Sequence, residues 1–173
     1  MLITVDFVMG HDPCRGYTRK RVASLLGAGK TLLECLRSDA VPAEDRIWLA
    51  TCKGACSERV QRLFACWCAE QVLPLFEAEH PDDDRPRAAI QVATAYAMGE
   101  ATQEELRAAS AGAWDAAMDS ACARANSASY AASEAVWEAA WDASSEAAWA
   151  GGWATCRQAQ VAALIELLET HGE

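Results

Sequence analysis

Residues 108 to 156 contain twenty alanines and five of the chain's seven tryptophans, and that tract narrows the possible architectures more than any other. Alanine is the strongest helix former, and tryptophan gives an alanine-rich helix something large to bury, so the tract is biased without being disordered in character. Trp137 and Trp141 are four residues apart, as are Trp149 and Trp153, which puts each pair on one helical face. The partial repeat "AWDAA", "VWEAA", "AWDAS" predicts helices packed closely through alanine, with tryptophans filling the gaps. No regular period of about 20 to 50 residues emerges, so a solenoid is not expected.

The rest of the chain also reads as helix. "MLITVDFV" suits one short strand, and "HDPCRG" a turn. From Thr18 to Arg37, Val22, Leu25, Leu26, Leu32, Leu33 and Leu36 recur at helical spacing, in a helix weakened by Gly27 and Gly29. Pro42 opens a helix through "AEDRIWLATCK" that Gly54 closes. Ser57 is placed to cap "ERVQRLFACWCAEQVLPLFEAEH", which Pro74 is expected to kink. In "PDDDRPRAAIQVATAYAMGE", Asp82, Asp83 and Asp84 sit where carboxylates favour a helix N-terminus, and Pro86 falls in the first turn, where no amide is missed. Gly99 ends that helix, and Thr102 with Glu105 forms a capping box for the next. The expectation is an all-α, compact single-domain bundle of about six or seven helices spanning 1–173, with one short N-terminal strand. Its predicted core is Leu25, Leu33, Trp48, Leu63, Phe64, Trp67, Leu75, Ile90, Trp114, Trp137, Trp141 and Leu164.

Charge narrows the function classes. The net charge of −10 is uneven: residues 1 to 37 carry six basic and three acidic side chains, residues 81 to 173 five basic and fifteen acidic. Such a surface repels phosphate backbones and attracts basic partners. Nucleic-acid binding is therefore not expected, outside the short basic stretch Arg15, Arg19, Lys20, Arg21. "MLITVDFV" lacks a basic leader and no apolar run approaches the roughly 18 residues of a membrane span, so a cytoplasmic protein is expected. The eight cysteines are scattered through apolar helical patterns and read as reduced, buried thiols.

Three constellations could carry chemistry. "SLLGAGKT" approximates a phosphate-binding loop, but Ser24 replaces its first glycine, no apolar strand leads into it and no magnesium-holding aspartate follows. Cys52, Cys56, Cys66, Cys68 and His80 could be weighed as zinc ligands, yet Cys66 and Cys68 are two apart on a helix and point roughly opposite ways. Neither metal nor cofactor is expected, and His11 and His171 suggest no catalytic dyad. Glu134, Glu138, Asp142 and Glu146, at successive i, i+4 steps, make a slowly winding acidic ridge with no basic residue between 125 and 156 to offset it. It is either a solvated outer face or a docking strip for a basic protein. Asp115 and Asp119 join it as candidate partner-binding residues.

"CAEQVLPLFE", from Cys68 to Glu77, followed by Asp83 or Asp84 through Arg85-Pro86-Arg87 to Ile90 and then by an Ala/Trp-rich helical half, resembles the immunity proteins of bacterial polymorphic-toxin systems, the Imm-five-like helical family. The resemblance covers roughly residues 43 to 156 and leaves 1–41 as a divergent N-terminal part. Tyr96 stands where the family usually has tryptophan, and Met98 occupies a variable slot. What the resemblance implies is an all-α protein, without catalytic residues, that binds and neutralises a toxin. The expected partner is a basic, nuclease-like protein, its active cleft occluded by the acidic helical face. An inhibitor of host defence from a phage or mobile element would need the same surface. A zinc- or nucleotide-dependent enzyme rests only on the thiols and on "GAGKT".

Overall fold

The structure, a computed structural model, describes residues 2–125 and 153–172. Among these the chain is all-α: eight helices accompany one two-stranded antiparallel sheet. Trp137 and Trp141 of the predicted core lie outside the described residues, as do Glu134, Glu138, Asp142 and Glu146 of the ridge. No described helix is long and apolar enough to cross a membrane.

The chain divides into two compact units, Met1–Gln61 with Arg157–Glu173, and Arg62–Cys156. The first begins with strand β1 (Leu2–Ile3) and helix α1 (Val5–Met9). "MLITVDFV" thus holds only two strand residues. The Thr4 hydroxyl accepts from the Phe7 amide at 3.2 Å, and this N-cap turns the apolar run that follows into helix. β1 pairs with β2 (Lys30–Thr31) in the register Leu2↔Thr31, Ile3↔Lys30.

The single helix expected over Thr18 to Arg37 is two, α2 (Arg19–Leu26) and α3 (Leu32–Leu36). Gly27 at φ +60° and Gly29 at φ +121° hold conformations that side-chain-bearing residues rarely adopt, so the break falls there. A Cβ on Gly29 would also meet the Ile3 carbonyl at 3.5 Å, where β1 lies alongside. α3 restarts behind a complete capping box: Thr31 Oγ1 accepts from the Glu34 amide, and the Glu34 carboxylate accepts from the Thr31 amide at 2.7 Å.

Helix α4 (Ala43–Thr51) follows Pro42, and Gly54 turns the chain beyond it at φ +84°. Within this unit α1 packs on α2 and α3 on α4. The C-terminal helix α8 (Trp153–His171) contributes Val161, Ala163 and Leu164 to the buried set, beside Ile3, Leu36 and Val60. Arg37 and Glu169 form an ion pair, and Arg46 Nη2 donates to Gln158 Oε1 at 3.4 Å. Of the predicted core, Leu164 is buried and Leu25, Leu33 and Trp48 are half-buried.

The second unit takes up helix α5 (Glu58–Glu79) from Arg62 onward, then α6 (Arg85–Met98) and α7 (Gln103–Ala125). α5 opens on Ser57, whose hydroxyl accepts from the Val60 amide at 3.3 Å, and it continues through Pro74. Leu63, Phe64, Cys66 and Leu73 are buried, and the Phe64 and Trp67 rings stack with centroids 6.4 Å apart. Ile90, on α6, is half-buried.

Two predicted core residues face outward. Leu75 is 53% exposed, two residues and hence about 200° of helix from buried Leu73. Trp114 is 70% exposed, while Ala116, two residues on, is 1% exposed. α6 packs on α7, and on α7 the alanine faces inward and the tryptophan outward, the reverse of the expected division of labour.

Candidate functional site

The corner from α5 into α6 is built by two arginines, each held by a carboxylate. Asp83 accepts from the Arg85 amide at 3.1 Å and from its guanidinium Nε and Nη2 at 2.9 and 2.7 Å. Glu77, in the last turn of α5, accepts from Arg87 Nε and Nη2 at 2.6 and 2.7 Å, a bidentate pair across the turn. The Arg85 guanidinium, hydrogen-bonded to Asp83, holds its carboxyl below the usual range, and Arg87 does the same for Glu77. Phe76 and His80 stack tilted at 4.8 Å, and the Asp83 amide donates to the His80 carbonyl, so the loop Pro81–Asp84 is tied down from inside.

Pro86 sits in the first turn of α6 as expected, but the capping carboxylate is Asp83: Asp84, the N-cap residue, makes no side-chain cap hydrogen bond. Asp82 and Asp84 are exposed. Between residues 77 and 87 five carboxylates face two guanidiniums. The Arg-Pro-Arg string is thus spent on internal pairs, and the outward character of the corner is acidic.

α6 ends in a left-handed Gly99 at φ +80°; the Glu100 amide reaches back to the Ala95 carbonyl at 2.8 Å and the Gly99 amide to Tyr96 at 3.1 Å, a Schellman ending. Thr102 and Glu105 then form the expected capping box, with Thr102 Oγ1 accepting from the Glu105 amide at 3.2 Å and the carboxylate accepting from the Thr102 amide at 2.6 Å. Along α7, Asp115 is exposed beside Trp114, and Asp119 lies one turn further on.

One contact between α5 and α6 has no signal in the sequence pattern. The Arg62 guanidinium lies 4.8 Å from the centre of the Tyr96 ring. Residues 55–150, more than half of the chain, match the Imm-5 like putative immunity protein family. The chain belongs to this family. The match contains the whole of α5 and α6, and α7 with its Trp114–Asp115 pair. No curated protein and no solved structure matches the chain. In this member of the immunity family, Tyr96 serves as the aromatic platform for Arg62.

The other constellations fall elsewhere. In "GAGKT", Lys30 and Thr31 belong to β2, the Thr31 hydroxyl is taken up in the α3 capping box, and the Gly27 and Gly29 amides donate to the Ala23 and Leu26 carbonyls. Cys52 and Cys66 are buried, Cys56 and Cys68 half-buried, and burial pushes the Cys52 and Cys56 thiols up. Among the described residues no three His, Cys, Asp or Glu side chains gather to hold a metal ion. The Glu77–Arg87 pair joins residues on two helices across a turn, and no local rule predicts it. Arg46 was more legible: it stands in the stripe Ala43, Arg46, Ile47, Ala50, all buried, at the i, i+3, i+4, i+7 spacing of an inward face.

Proposed function

We propose that this immunity-family protein neutralises a cognate toxin by binding it, with an acidic helical face occluding a basic active cleft. The observation that carries the reading is Trp114, 70% exposed on α7 next to exposed Asp115, within the family-matched region. A tryptophan flanked by a carboxylate suits an interface: the ring is a large, rigid anchor for a partner's pocket, and the acid speeds encounter with a basic surface. Asp115 and Asp119 continue in sequence toward the ridge of Glu134, Glu138, Asp142 and Glu146, which extends the same charge.

The partner under this reading is a basic protein of nuclease type, and the inhibitor needs no catalytic residue. Capture from the native host lysate at low and moderate salt identifies the partner, and co-expression then tests whether its toxicity is suppressed. Trp114→Ala is expected to weaken the complex about 30-fold, the equivalent of about 2 kcal/mol at an interface anchor. Reversing Glu134, Glu138, Asp142 and Glu146 to lysine is expected to slow association and flatten its salt dependence. A quadruple variant that associates as fast as the parent across a salt series would reduce the ridge to a solvated face.

A further inference from the structure

The first unit contains a cavity of about 200 Å³ between α2, α3 and α4. Its apolar wall includes Val8, Val22, Leu25, Leu26, Trp48 and Leu49. Its polar side is small and unbalanced: the charged residues lining it are Lys30, Asp45 and Arg46, two cations against one anion. Asp45 is already engaged, since Tyr17 donates its phenol hydrogen to Asp45 Oδ2 at 2.6 Å.

Arg46 is the one buried charged residue among the described residues, at 4% exposure. Its Nη1 donates to the Leu36 carbonyl at 2.7 Å and its Nη2 to Gln158, while Asp39, 3.7 Å from Nη1, is 98% exposed and screened by water. The Nε–H is buried with no acceptor. Buried donors are almost always paired, and a guanidinium in an apolar wall especially so. A buried guanidinium, a lining with one more cation than anions and an apolar chamber therefore coincide at one place.

From that coincidence we infer that the first unit binds a small apolar monocarboxylate, whose carboxylate lies on the cationic side of the chamber, at Arg46 and Lys30, while its hydrocarbon body fills the space between Leu25, Leu26 and Trp48. A single negative charge balances the lining, whereas a dianion would overshoot it. A cavity of about 150 Å³ admits benzene, so this one takes a body of about seven or eight carbons. The residues that form the site precede the family-matched region in sequence.

Calorimetric titration of the full chain with octanoate and 3-phenylpropanoate, each against its corresponding alcohol, tests the inference, with the Trp48 indole signal followed by NMR. At least one carboxylate should bind with a Kd near or below 100 μM, at least tenfold tighter than its alcohol, and should shift the Trp48 resonance. Leu25→Trp, which fills the chamber, should abolish binding while the variant still melts cooperatively. An alcohol that binds as tightly as its acid, no binding of either acid at 1 mM, or retained binding by a folded Leu25→Trp would each overturn the proposal. The acid–alcohol comparison on the parent chain decides the matter even if that variant fails to fold.

Discussion

Tyr17 and Glu77 show how single side chains here couple stability to pH in opposite directions. Burial, with the Asp45 carboxylate beside it, pushes the Tyr17 phenol up to about 12. A phenol raised above its ordinary value of about 10 stabilises the fold fully below that pH and loses its contribution as pH climbs toward 12. An ultraviolet titration should therefore show one of the three tyrosines ionising well after a normal one would. Tyr17→Phe should cost about 1 kcal/mol at neutral pH, because Asp45 loses its donor. Glu77 runs the other way. Its depressed carboxyl contributes at neutral pH and loses that contribution as pH falls through its folded value, below the usual range of about 4.3. Glu77→Gln should melt below the parent at pH 7, and the gap should close in acid. A gap that persists at low pH would mean that the Arg87 pair is not its source.

Helix ends were the most legible elements, because a cap is decided within a few residues. Ser57, Gly99 and the Thr102–Glu105 box all act where the sequence places them. Gly99→Ala meets nothing within 4 Å, so its cost should come from the left-handed backbone alone, about 1 kcal/mol by denaturant unfolding. Interiors were less legible. The apolar recurrence over Thr18–Arg37 is genuine, yet Gly27 and Gly29 at positive φ divide it, and periodicity is blind to backbone dihedrals. Leu75 and Trp114 are large and apolar, but which face of a helix is inside depends on its neighbours, and those come from tertiary packing. At the α5–α6 corner the acidic run and Pro86 were readable as a helix start. That Glu77 and Arg87 would clamp it was not, since the two residues meet only once the turn has formed.

At the scale of the whole molecule, the family match and the unit boundaries do not coincide. Residues 55–150 match the family, while the first unit is assembled from Met1–Gln61 and Arg157–Glu173, two stretches far apart in the chain. Leu164 sits in that unit at 1% exposure. Leu164→Ala should therefore cost about 2–5 kcal/mol in equilibrium unfolding, despite lying outside the family-matched region. The contact of Arg46 with Gln158 spans 112 positions, and this has a consequence during synthesis. A ribosome making about 5–20 residues per second needs roughly 5–20 s to translate the 95 residues of the second unit. For that interval the nascent first unit waits without α8, with the apolar surfaces that Val161 and Leu164 will later cover still open to chaperones and to neighbouring chains.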